Sequence, residues 1–378
     1  MKVATADLPA TDRSTVAQAP ARAHGRIVFA NQLRGLAALC VVFQHLTYNY
    51  WLEPELVSAQ TASPLRATPV PWTALTEPLP FRFGLVGVAI FFVISGFVIP
   101  FSVSRLSRAG FLLARAIRIF PVLVASMALG CLVVWFGARF WGRPYPFGFR
   151  QFVLNATLLH YDYNYASIDL VNWSLVIEVR FYLLSAVLAG AIRAGQAAVV
   201  VAASAAGCLL DVGLTTYGIF SVEVAVTTIH MLIFMLAGTL LYFHHREQIS
   251  TAECVSFSFV QLVLFLVTWR FGVHQADFPN LPSYLAGYGI FVACYLKRNS
   301  FFDLLVLDGL ASISFPLYLC HTLLGYSFLQ AALQTTALPW FLALPLCVTL
   351  VVAAAIALHH LVERPTIRLI GRLKRRTP

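Results

Sequence analysis

The sequence predicts an all-α polytopic membrane protein with about ten transmembrane helices and both termini cytoplasmic. Three observations carry that prediction. Of the 378 residues, 59% are apolar and only 11% charged, against about 25% charged in soluble domains. The apolar residues form runs long enough to cross about 30 Å of hydrocarbon, where a chain must satisfy its own backbone groups, so such runs are helices. The basic residues cluster at the ends of these runs, in the pattern of membrane topology rather than of a nucleic-acid surface.

Residues 1–26 are polar and rich in Ala and Thr. They lack the apolar core of a cleavable signal peptide and read as a disordered cytoplasmic tail. Residues 27–372 read as one transmembrane domain and 373–378 as a basic cytoplasmic tail. The predicted spans lie near 34–51, 83–103, 119–137, 173–192, 197–213, 225–243, 254–270, 281–296, 310–331 and 338–361, the eighth being short. With the N-terminus inside, the inner face collects Lys2, Arg13, Arg22, Arg26, Arg34, Arg105, Arg108, Arg115, Arg118, Arg193, Arg246, Lys297, Arg298 and the basic C-terminal residues. The outer face keeps Arg66, Arg82, Arg139, Arg143, Arg150 and Arg270. That ratio of about three to one favours both termini inside; the expected location is the cytoplasmic (inner) membrane, with the chain multi-pass.

The seven cysteines, Cys40, Cys131, Cys208, Cys254, Cys294, Cys320 and Cys347, are scattered through apolar runs with no metal-ligand spacing, so no metal site is expected. P-loop, dinucleotide and GxSxG signatures are absent, which leaves nucleotide hydrolysis and serine-hydrolase chemistry without support.

Two long outer connections are expected, near 52–82 and 138–172. The second carries Trp141, Tyr145, Phe147, Phe149, Tyr161, Tyr163 and Tyr165. These read either as an interfacial aromatic belt or as a platform for a sugar or other acceptor.

The polar residues inside the apolar runs are the candidates for chemistry, because an ionisable group in a bilayer is costly. Arg34 and His45 lie on one face of the first helix, about 16 Å apart along its axis. Arg34 would stand at one membrane surface and His45 near mid-bilayer, beside Gln44 and Thr47. A neutral imidazole is a natural general base; the alternative is a hydrogen-bonded packing histidine. Arg115 and Arg118, three apart, share a face and read as topogenic charge or as a forked guanidinium cluster for phosphates.

In Asn172-Trp173-Ser174-Leu-Val-Ile-Glu178-Val-Arg180-Phe-Tyr182, Ser174 and Glu178 face the same way. Glu178 is expected near the level of His45, where it orients or charge-stabilises the imidazole, or pairs with a cation such as Arg180. The small residues of Gly84-Leu-Val-Gly87 and Ser95-Gly96 read as close helix contacts, with a glycine-lined ligand groove as the alternative. On the ninth run, Tyr318 and His321 share a face beyond Pro316, whose missing N–H should kink the helix. His321 is a second candidate base or ligand contact. The other histidines lie mostly at segment ends, with His160 set apart by its place in the aromatic connection.

Taken together in order and spacing, these pieces resemble the membrane-bound acyltransferase 3 family, bacterial O-acyltransferases of glycans and small molecules, over about residues 27–372. Arg34 with His45 is similar to its arginine, ten residues, histidine motif. Gly87-Val-Ala-Ile-Phe-Phe-Val-Ile-Ser-Gly-Phe97 resembles its GVDxFFVISGF segment, and Arg115 and Arg118 its RxxR element. Trp173 through Tyr182 resembles WSLxxExxFY, Ser312 through His321 resembles ISYxLYLxH, and Glu363-Arg364-Pro365 resembles a closing ERP. The chain departs from the pattern at Ala89, where Asp is common, and at Val179-Arg180, where Glu-Gln is common. No extracytoplasmic SGNH hydrolase-like domain is expected after residue 378, so a step needing one would be absent or supplied by a partner.

The resemblance implies an acyl-CoA co-substrate, first of all acetyl-CoA, with no permanently bound cofactor. Arg34, Arg115 and Arg118 would hold its phosphates, and His45 would act as base or acyl carrier with Glu178 orienting its ring. Trp173, Ser174, Tyr318 and His321 would contact substrate. The acceptor would be a hydroxyl of an extracytoplasmic glycan or glycolipid, or of a small molecule such as an antibiotic. A transporter or flippase of lipid-linked glycan is the rival reading, although no inverted repeat is visible.

Overall fold

The computed structural model describes residues 27–65, 81–218, 223–336 and 338–369, without the side chains of 223–227, 274 and 275. The predicted tails at 1–26 and 373–378, residues 66–80 of the 52–82 connection, and His24 and His274 therefore lie wholly or partly outside the description. The described residues form helices and no strands. In chain order they are α1 (Val28–Gln44), α2 (Pro54–Thr61), α3 (Phe83–Val103), α4 (Arg108–Phe140), α5 (Phe149–Ala156), α6 (Asn172–Val187), α7 (Ala197–Thr216), α8 (Glu223–His245), α9 (Thr251–Phe271), α10 (Leu281–Leu296), α11 (Leu305–Thr335) and α12 (Trp340–Leu358).

Among the described residues, seven helices are long and apolar enough to cross a membrane: α3, α4, α7, α8, α9, α11 and α12 with its continuation. The ten predicted runs coincide with helices, but three of them fall short of that length. α1, α6 and α10 have 17, 16 and 16 residues. α1 passes at His45–Asn49 into a π-helical turn before Tyr50–Leu52, and α6 breaks at Leu188 before a short helix, Ala189–Arg193. An interruption ends α1 and α6, whereas α10 is short as its run predicts.

Caps fix several starts. Ser107 accepts from the Gly110 N–H at 3.1 Å, and Ser250 with Glu253 forms a reciprocal capping box. α11 continues as helix through Pro316, since lipid-buried helices re-satisfy the freed carbonyl locally.

α3 is the central element and packs against α1, α8 and α10. Glycine makes this closeness attainable. A Cβ on Gly87 would come 2.6 Å from the Ala37 carbonyl oxygen of α1, and one on Gly96 would come 1.9 Å from the Met235 carbonyl oxygen of α8. These are the close contacts expected of the small residues on α3. Ala89, where the family pattern often has Asp, is buried against Gly287 of α10. At the periphery, α7, α9 and α12 expose Leu209, Leu210, Val255, Phe259, Leu346 and Leu350, as lipid-facing helices do. α11 lies between α1, α4 and α12, so the polar stripe of α11 meets that of α1 inside the bundle.

Candidate active site

The polar groups of α1 reach two neighbours. Toward its C-terminal end, His45 Nδ1 lies 3.0 Å from the Val41 carbonyl oxygen and 3.1 Å from Nε2 of His321 on α11. The two ring centroids are 5.0 Å apart. His321 is fully buried, and its Nδ1 lies 2.9 Å from the Tyr318 carbonyl oxygen and 3.2 Å from that of Leu317.

These partners assign the tautomers of two neutral rings. Carbonyl oxygens only accept, so His321 Nδ1 carries the proton and its Nε2 the lone pair. His45 Nδ1 then faces two acceptors and must donate. The lone pair of His45 is left on Nε2, away from His321, which is the arrangement of a general base held by a second group.

Toward the other end of α1, a cavity of about 80 Å³ is lined by Arg34, Arg118 of α4, Ser95 of α3, and Ser174, Glu178 and Tyr182 of α6, with Tyr318 of α11. Glu178 Oε1 accepts from Tyr182 OH at 2.6 Å and from Ser95 Oγ at 3.2 Å. Arg34 and Arg118 thus share a chamber with one carboxylate. Arg115 does not line it: its guanidinium donates to Ser102 Oγ and lies 5.6 Å from the ring centroids of both Phe111 and Tyr182. Tyr182 therefore separates Arg115 from Glu178, although Arg115 remains within electrostatic reach of Arg34.

The sequence resemblance assigns Glu178 to orient His45. Its hydrogen bonds instead go to Ser95 and Tyr182, and the group touching His45 is His321. The reason is helix placement: α1 packs its His45 face on α11, while α6 meets α3 and α4. Tyr318 connects the two regions. Its hydroxyl lies 2.5 Å from Ser174 Oγ at the cavity wall, and its backbone carbonyl accepts from His321.

Trp173 turns away from this cavity. It packs edge-on against Phe92, 6.2 Å between centroids, and lines a separate cavity of about 460 Å³ with Tyr161 and Arg180. Of the aromatic residues in the 138–172 connection, Tyr161 alone lines that space, and Phe149 is largely exposed. His160 is buried against Tyr161, 4.2 Å between centroids, and burial pushes its pKa down to about 4. Glu363 of the Glu-Arg-Pro segment is buried and accepts from His359 Nδ1 at 2.7 Å, closing a second π-helical turn.

Asp169 escaped the sequence reading. It lies in the connection before α6, fully buried, where it accepts from Thr322 Oγ1 and from the Val171 N–H at 3.2 Å. Burial pushes its carboxyl up to about 6. A carboxylate in a loop gives no periodic signal. Only the fold puts it beside the residue that follows His321.

The acyltransferase domain that defines the acyltransferase 3 family matches residues 27–360. Nodulation protein 10 of Rhizobium leguminosarum bv. viciae is 34% identical over 134 residues, a match covering 30% of this chain and 36% of that protein. The chain thus matches little more than a third of the length of this curated relative. No solved structure matches the chain.

Proposed function

The chain belongs to the acyltransferase 3 family and is a multi-pass membrane acyltransferase, and from that premise we propose that it moves an acyl group, first of all acetyl, from acyl-CoA to a hydroxyl of an extracytoplasmic glycan or glycolipid. The observation that carries this reading is the His45–His321 pair, which fixes one proton-accepting nitrogen at the end of α1 opposite Arg34.

The donor's phosphates bind at Arg34 and Arg118, whose forked donors suit phosphate oxygens. Arg115 adds positive charge from behind Tyr182. The thioester arm runs along α1 toward His45, a rise of about 16 Å. His45 Nε2 takes the proton of the acceptor hydroxyl as its oxygen attacks the thioester carbonyl. The C–S bond breaks, the new C–O bond remains, and the thiolate takes the proton back from His45, leaving free CoA and a neutral imidazole. His321 holds the ring in place throughout. Glu178 limits the positive charge of the arginine chamber and sets Tyr182. Entry of the donor from the cytoplasm, with the acceptor on the far side of the inner membrane, would move only the acyl group across.

Reconstituted wild type and His45→Ala, given labelled acetyl-CoA and a panel of acceptors, test this directly. Wild type should label a hydroxyl acceptor and His45→Ala should not. Full turnover by a folded His45→Ala protein would remove the mechanism.

A further inference from the structure

The cavity that Trp173 lines has a composition the transfer mechanism does not use. It lies at the N-terminal end of α6, against α8, the end of α9 and the start of α10, and has a volume of about 460 Å³, within the range of sites for small molecules. Tyr161 and Trp173 are half-buried and present ring surface at its walls, while Trp269 and Tyr284 are buried. Trp269 packs against Tyr284 with 5.5 Å between centroids.

The polar residues of the lining are Arg180, Thr228, His230, Asp277 and Asn280. Arg180 donates to Asp162 at 2.7 Å and to Thr228 Oγ1. With Val179, it also departs from the family pattern inside the Trp173–Tyr182 motif. Its charge is matched by Asp162, and Asp277 adds a further carboxylate. The described lining therefore combines aromatic residues with the amide of Asn280, the carboxylate of Asp277, the guanidinium of Arg180, the hydroxyl of Thr228 and the imidazole of His230.

We propose that this cavity binds a neutral pyranose unit of the acceptor, one that is not itself acylated. Sugar rings offer apolar C–H faces to the electron-rich faces of aromatic rings. Their equatorial hydroxyls both donate and accept, matching Asp277 and Asn280. An acidic sugar would meet the carboxylate of Asp277, while Arg180 is already paired with Asp162. Successive faces of α6 serve the two chambers: Ser174 and Glu178 line one, Trp173 and Arg180 the other, and Phe92 against Trp173 forms the partition. A sugar held here would sit across α6 from the arginine chamber. The proposal rests on the reading of the acceptor as a glycan.

The test is equilibrium dialysis of end-labelled cellotetraose, chitotetraose and a galacturonic acid tetramer against full-length protein in nanodiscs, without acyl-CoA. A neutral tetramer should bind wild type and His45→Ala equally. Trp269→Leu and Asp277→Asn should each weaken it by about ten-fold, as loss of one central contact does at a well-packed site. Thermal unfolding midpoints report folding, and should Trp269→Leu not fold, Asp277→Asn and Asn280→Ala carry the test. Unchanged affinity in the folded cavity variants, preference for the acidic tetramer, or no binding of any sugar by wild type would overturn the site. Sugar binding with these properties but no acyl transfer to any acceptor would instead remove the proposed function and leave the sugar site standing.

Discussion

Nε2 of His321 lies 3.1 Å from Nδ1 of His45, joining two rings 276 residues apart in the chain. With Nδ1 of His321 committed to the Tyr318 carbonyl, the pair can satisfy its hydrogen bonds as neutral rings in one way only. His321 is therefore a positioning residue, and His45 Nε2 is the atom presented to substrate.

His321→Leu deletes one of the two acceptors of the His45 Nδ1 proton, leaving only the Val41 carbonyl of its own helix, and should lower kcat by up to about 10²–10⁴-fold, the range that a positioned acid–base group contributes, with donor KM unchanged. His321→Gln keeps an amide oxygen able to accept and should recover part of the loss. Steady-state kinetics in nanodiscs decide it; equal losses in both variants, or a change confined to KM, would reject the positioning role.

Arg118→Ala and Arg34→Ala should raise the apparent donor KM. Each removes charge-assisted hydrogen bonds worth about 1.5–3 kcal/mol, or roughly ten- to a hundred-fold in affinity. Arg115, held outside the chamber by Tyr182, should give a smaller rise. Isotherms of coenzyme A binding to the three variants rank the contributions; an Arg115→Ala effect as large as that of Arg118→Ala would contradict the geometry.

Glu178→Gln separates the two ends of α1. Because Glu178 bonds to Ser95 and Tyr182 rather than to His45, its loss should appear in donor affinity and leave the pH dependence of kcat in place. A shifted pH profile with normal donor KM would restore the carboxylate to a role at the imidazole.

Asp169 gives stability a pH dependence. Burial raises its carboxyl from the usual 3.8 to about 6. Between these values the folded protein holds a proton that the unfolded chain has released, so stability falls as pH rises through that window. The thermal midpoint of wild type should drop from pH 4.5 to 6.5 more than that of Asp169→Asn, which keeps the buried site neutral. Parallel midpoint curves for the two proteins would refute the assignment.

Gly96→Ala should be among the most damaging single-methyl changes in the chain. Its Cβ would fall 1.9 Å from the Met235 carbonyl oxygen, forcing α3 and α8 apart. Overpacking of this kind costs about 1–3 kcal/mol or more. Thermal unfolding in detergent should show a lowered midpoint, whereas Gly213→Ala, with nothing within 4 Å, should not.

Much of this was local and therefore legible in the sequence. Apolar runs disclosed the helical segments because hydrocarbon forbids unsatisfied backbone. The spacing of Arg34 and His45 followed from helix rise, and Ser174 and Glu178 shared a face because four residues nearly complete a turn. Periodicity tells which residues share a face but not which helix that face meets. Packing of α1 on α11 gave His45 its partner in His321. Packing of α6 on α3 and α4 sent Glu178 to Ser95 and to the arginine chamber, away from the imidazole that the sequence had paired with it. The turn of Trp173 into a second cavity, and the reach of Asp169 to Thr322, likewise depend on contacts between segments far apart in the chain, and only the folded bundle brings those segments together.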